Sequence, residues 1–132
     1  MAVRAHTVAV KELPGTLTGE QGRSFFLAMQ GNINGNNCLI VLDFSKVREM
    51  DTFAVYLLLC CLEEAMKHDG DIKLAAIPLE TKTLLELAGL GRFFESFETN
   101  AEAINSFRRI SSGGTSYVSV SGGYTSTSNS AT

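Results

Sequence analysis

Apolar and polar positions along the chain fall into alternating short and long patterns. HTVAVKEL, residues 6–13, alternates loosely and is short, which predicts a strand. LPGT is turn chemistry, and Thr18-Gly19-Glu20-Gln21 has the form of a capping box opening a helix. Phe25, Phe26 and Met29 share one face of that helix, and NINGNN at 32–37 ends it. CLIVLDF at 38–44 is nearly continuous in apolar and β-branched residues, the pattern of a central strand covered on both faces. The spacing predicts a long helix over 52–68, with Leu57, Leu58, Leu62 and Ala65 inward and Glu63, Glu64, Lys67 and His68 toward water. IKLAAI at 72–77 reads as a further strand. Residues 80–88 read as a helix with Leu84, Leu85 and Leu87 inward, stopped at Gly89. RFFESF holds a short edge strand, and AEAINSF a last helix.

Strand and helix thus alternate four times. That order implies an α/β domain with much parallel pairing, its sheet covered by helices. From Ser111 the composition changes. SSGGTSYVSVSGGYTSTSNSAT has no charge and is mostly Ser, Thr and Gly. The expected division is one domain over 1–110 and a Ser/Thr/Gly-rich tail over 111–132, read as a flexible extension that buries too little surface to order itself. YVSVS-GG-YTSTS also fits two strands around a Gly-Gly turn, and that alternative stays open.

Composition narrows the function. The 132 residues are 45% hydrophobic and 19% charged with net charge −3, as in a soluble globular domain. Arg108-Arg109 is the one adjacent basic pair, far short of the basic stripe that nucleic acid requires. No apolar run is long enough to insert in a membrane, and MAVRAHTVAV lacks the apolar core of a signal peptide, so a cytoplasmic protein is expected. Three cysteines, two of them adjacent, make no disulfide framework. With His6 and His68 both remote from cysteine, no metal site or cofactor is expected. No phosphate loop, dinucleotide fingerprint or acid-base constellation is present, so the expectation is a protein that is not an enzyme and has no catalytic residues.

One position invites chemistry. In KVREMDTFAVYLLLCC, residues 46–61, Asp51 and Thr52 stand at the mouth of an apolar helix. One reading is an N-cap, in which the acid or hydroxyl satisfies free amides and suits the positive end of the helix dipole. The other is a phosphoacceptor: a hydroxyl at a helix N-terminus, where a phosphate adds about −1.5 to −2 charge beside an apolar surface. Phe53 is a partner's anchor or a core residue, with core the expectation.

CLIVLDFSKVREMDTFAVYLLL, IKLAAI and LLELAGLGRFFESFETNAEAI, in that order, resemble the STAS domain of bacterial anti-sigma factor antagonists over about residues 3–108. The carrying elements are Asp51-Thr52-Phe53-Ala54, Gly89-Leu90 and Phe93-Phe94-Glu95. The resemblance implies a STAS-like mixed sheet of four to five strands covered by about four helices. It also implies a transcription-regulating phosphoprotein that works by partner switching. The unphosphorylated chain would bind an anti-sigma serine kinase and leave it once phosphorylated at Thr52. Asp51, Phe53, Ala54, Met50 and Thr18 would form the partner-binding surface, and homo-oligomerisation is left open. Three positions depart from the family pattern. Ala54 replaces its usual glycine and Phe53 its small hydroxyl residue. Gly15-Thr16-Leu17-Thr18 stands for its Gly-Glu-Leu-Asp, so Thr18 replaces an aspartate. These departures keep a second expectation, a cytosolic STAS subunit of a lipid-transport ABC complex that docks without phosphorylation.

Overall fold

A computed structural model describes residues 5–110 and 117–122. In chain order the elements are β1 (Ala5–Glu12), β2 (Thr16–Leu17), α1 (Gly19–Asn32), β3 (Leu39–Asp43), β4 (Glu49–Met50) and α2 (Thr52–Lys67). There follow β5 (Asp71–Ala75), α3 (Leu79–Leu87), a 3-10 turn at Leu90–Arg92, β6 (Ser96–Phe97), α4 (Asn100–Ile110) and β7 (Tyr117–Gly122). The main sheet has the order β6-β5-β3-β1-β7. The α/β class and the helix-covered sheet are as expected, but every described strand pair is parallel, where the resemblance implied a mixed sheet.

Helices cover both faces, which explains the unbroken apolar run of β3. Ile40 and Leu42 point into a larger core with Phe26, Phe44, Leu58 and Leu85 from the α1, α2 and α3 side. Val41 points the other way, where Val8 and Val10 meet Ala103, Ile104 and Phe107 of α4. The period-2 alternation therefore feeds two apolar layers rather than one layer and solvent. In β5, Ile72 and Leu74 join the first layer, while Ala75 and the fully buried Lys73 fall in the second.

Three expectations need correction. Leu87 is 83% exposed. Thr81 and Leu85 of α3 face inward, and Leu87 lies about 200° round from Leu85. The capping box at Thr18 does not form, because the Thr18 side chain makes no cap bond. Part of the Ser/Thr/Gly-rich segment also lies in the sheet, since β7 pairs in parallel with β1, from Ala5 opposite Tyr117 to Val10 opposite Gly122. The first arm of the suggested hairpin is therefore a strand, although its partner is β1. The second arm lies outside the described residues.

Candidate functional site

The small parallel pair of β2 and β4 sets Leu17 beside Met50. The residues that follow them, Thr18 and Asp51, each stand at the N-cap of a helix. The N-termini of α1 and α2 thereby converge. Close packing enforces this arrangement. A Cβ on Gly22 of α1 would lie 2.7 Å from the Leu17 carbonyl oxygen, so only glycine lets α1 approach β2 this closely. Gly19, with φ of 54°, makes the turn into α1.

Asp51 joins the two helices. Ala54 N–H donates to Asp51 Oδ1 at 2.9 Å, which caps α2. Gly19 N–H donates to Oδ2 at 3.0 Å, which supplies α1 with the acceptor that Thr18 does not provide. The Asp51 amide donates to the Leu17 carbonyl at 3.3 Å. The bond from Gly19, then that from Ala54, holds the Asp51 carboxyl below its usual range. Asp51 thus fulfils the N-cap reading of the sequence, and does so for two helices.

Thr52 is the first residue of α2 and is exposed. Phe53 is 47% exposed, so it is not a core residue, and the Arg23 guanidinium sits 5.8 Å from its ring centroid. One turn further along each helix, Tyr56 and Leu27 are also exposed. Exposed apolar side chains thus follow Thr52 along α2, at Phe53 and Tyr56, and stand on α1 at Leu27. Met50 is half-buried against the larger core. Ala54 is buried, so its contribution to the site is its amide rather than its methyl group. Thr18 lines the junction between the helices.

A second polar cluster was not foreseen. Lys73 Nζ donates to Ser106 Oγ at 2.7 Å and pairs with Glu95 Oε1 at 2.8 Å. It lies 4.5 Å from the Phe107 ring centroid. A lysine hydrogen-bonded to a serine has the outline of a nucleophile and its base. Here Lys73 keeps a carboxylate partner, the Ser106 hydroxyl donates to the Ala103 carbonyl at 2.8 Å, and both side chains are buried. The cluster ties β5 to α4. At the end of β3, Asp43 accepts from Asn100 Nδ2 at 3.0 Å and from the Ser45 amide at 2.9 Å. Burial raises the Asp43 carboxyl, the bonds from Asn100 and Ser45 and the nearby Lys46 lower it, and the net shift is downward.

Burial, with the charges of Cys60 and Glu64, pushes the Cys61 thiol up to about 12, which makes it a poor nucleophile. Among the described residues no cluster of His, Cys, Asp or Glu could hold a metal ion, and no helix is long and apolar enough to cross a membrane.

Fold and site define an α/β domain that presents a hydroxyl at a helix N-terminus beside exposed apolar side chains. The profile of the STAS domain matches residues 3–103, and the chain belongs to that family. Among solved structures, the anti-sigma factor antagonist SpoIIAA in its unphosphorylated form is similar with a TM-score of 0.67 at 24% identity, covering 83% of this chain and 93% of that one. A Thermotoga maritima protein described as a candidate anti-sigma factor antagonist is similar at 0.66 and 22% identity, covering 76% and 88%. The STAS domain of a SulP transporter from Vibrio cholerae is similar at 0.63 and 16% identity, covering 80% and 84%. At these identities the likeness is one of fold. A search of the curated proteins finds no match.

Proposed function

We propose that the chain is an anti-sigma factor antagonist of the bacterial cytoplasm, controlled by phosphorylation of Thr52. Unphosphorylated, it binds an anti-sigma serine kinase through Phe53 and Tyr56. The kinase moves the γ-phosphoryl group of ATP to Thr52 Oγ1, ADP leaves, and the partners separate. The chain catalyses nothing in this cycle. The observation that carries the reading is the exposed Thr52 at the first turn of α2, between the Asp51 cap and the half-exposed Phe53. A phosphate there adds about two negative charges one residue from the Asp51 carboxylate. A partner seated on Phe53 and Tyr56 would then have to desolvate that charge, which costs far more than an apolar contact returns.

The departures from the family pattern at Thr18, Phe53 and Ala54 support a second reading, a docking subunit of a lipid-transport complex that needs no phosphorylation. Affinity capture from the source cell with and without ATP, followed by mass spectrometry of the bait, separates the two. The partner-switching reading expects a kinase that departs as Thr52 gains a phosphate. A partner that stays bound in ATP while Thr52 remains unmodified overturns it in favour of the second.

A further inference from the structure

Away from Thr52, two recesses open beside β6. The larger, about 440 Å³, is lined by Ala76, Ile77, Lys82, Ser96, Phe97 and Glu98. The smaller, about 270 Å³, shares Ile77, Lys82 and Ser96 with it and is floored by Leu85, Leu90 and Phe94. Together they have the size of a small-molecule site. The larger reaches the carboxyl ends of β5 and β6 through Ala76, Ile77 and Glu98, the side of a parallel sheet on which ligands are held, and the smaller runs back from it between α3 and the segment that precedes β6.

The backbone is shaped to leave this space open. Ala76, directly after β5, has φ of 57°, a left-handed conformation that disfavours any residue bearing a Cβ. Its amide donates to the Phe97 carbonyl at 3.0 Å, which holds the turn in place. The chain therefore leaves the sheet at Ala76 and forms one wall of the recess with Ile77. Backbone strain of this kind gathers at ligand sites.

The charges select the ligand. Lys82 makes no ion pair among the described residues. Glu98 lines the larger recess with it, and Glu86 the smaller. A simple anion would meet two carboxylates and one ammonium, and a simple cation would meet Lys82. A zwitterion satisfies both signs, and the buried side chains of Leu85, Leu90 and Phe94 offer a floor for an apolar group. We propose that this double recess binds a free α-amino acid with a branched aliphatic or aromatic side chain. Its carboxylate meets Lys82 and the Ser96 hydroxyl, its ammonium meets Glu98, and its side chain enters the smaller recess.

The test is titration of the isotope-labelled full chain with L-leucine and L-phenylalanine, followed by amide NMR shifts. Isocaproate and isoamylamine, leucine lacking one charge or the other, serve as controls. Lys82 and Glu98 are exposed, so Lys82→Ala and Glu98→Gln keep the fold. The expected result is saturable shifts at Ala76, Ile77, Phe97 and Glu98, with affinity falling about tenfold or more in each variant and for each control ligand. Absence of saturable shifts up to about 10 mM ligand overturns the site. Unchanged affinity in either variant, or a control ligand that binds as tightly as leucine, overturns the zwitterion assignment.

Discussion

Asp51 uses its two oxygens on two helices, so its replacement separates two effects that one cap would confound. Asp51→Asn keeps an oxygen for Ala54 N–H but presents an amide to Gly19 N–H in place of the second acceptor. Asp51→Ala loses both bonds. The expected order of stability, read from urea unfolding near neutral pH, is wild type, then Asn, then Ala. The alanine variant should lose about 1–2 kcal/mol. The pH dependence follows from sign. The folded carboxyl lies below its ordinary value of about 3.9, so its contribution is complete above that value and is lost as pH falls through the lower folded one. The gap between wild type and Asn should therefore close in acid. A gap independent of pH would mean that the charge is not what the two amides read. Thr52 carries the functional prediction. Thr52→Ala should bind the kinase and resist release by ATP, whereas Thr52→Asp should bind weakly even without ATP. Equal affinity of the two, measured by calorimetry, would remove Thr52 from the switch. Asp51 as a helix cap was readable from its place before an apolar run. Its second bond was not, because Gly19 is remote in sequence and β2 and β4 are two residues each, too short to leave a period-2 pattern.

Among the elements, β5 and α4 hold the feature that periodicity hid. In IKLAAI the alternation sends Lys73 away from the larger core, and on a sheet with one covered face it would reach water. Here α4 covers the second face, and the lysine is buried beneath Phe107. The apolar run of β3 did signal coverage on both faces, but nothing in β5 repeated that signal. Parallel sheets covered on both sides carry the consequence for every strand, including one that bears a charge. Phe53 was misplaced for the opposite reason. A chargeless run from Phe53 to Leu62 suggests burial throughout, but α2 has one outer face and Phe53 and Tyr56 lie on it. The Lys73 cluster yields an uneven prediction. Lys73→Met removes the buried ammonium, keeps the side-chain length and leaves a thioether against the Phe107 ring. Its stability should stay within about 1 kcal/mol of wild type. Glu95→Gln leaves the ammonium buried with the Ser106 hydroxyl as its main partner and should cost about 1–3 kcal/mol, although Glu95 is itself exposed. Lys73→Met in the Glu95→Gln background should restore most of that loss. If unfolding curves show Glu95→Gln to be neutral and Lys73→Met to be costly, the ammonium is an asset to the fold rather than a charge in need of cover.

At the scale of the whole molecule, parallel strands put their carboxyl ends, and the starts of the helices that follow them, on one edge of the sheet. Asp51, Thr52 and Lys82 all belong to segments that follow strands at that edge. The alternation of strand and helix was enough to predict this layout. It left the sheet's far margin open, because YVSVS fits a strand but a segment mostly of Ser, Thr and Gly has little apolar area with which to name its partner. What β7 offers β1 is backbone hydrogen bonding along Ala5–Val10. Strand edges left bare invite pairing with another chain, and β1 without β7 would present such an edge. Among the described residues the two apolar layers draw on positions 8–107, so a chain ending at Ile110 should still unfold in one cooperative step. Its β1 amides should exchange with solvent faster than in the full chain, and sedimentation at rising concentration should show more self-association than in the full chain. A truncated chain that self-associates no more than the full chain, with unchanged exchange in β1, would mean that the edge needs no cover and that β7 contributes nothing to the domain.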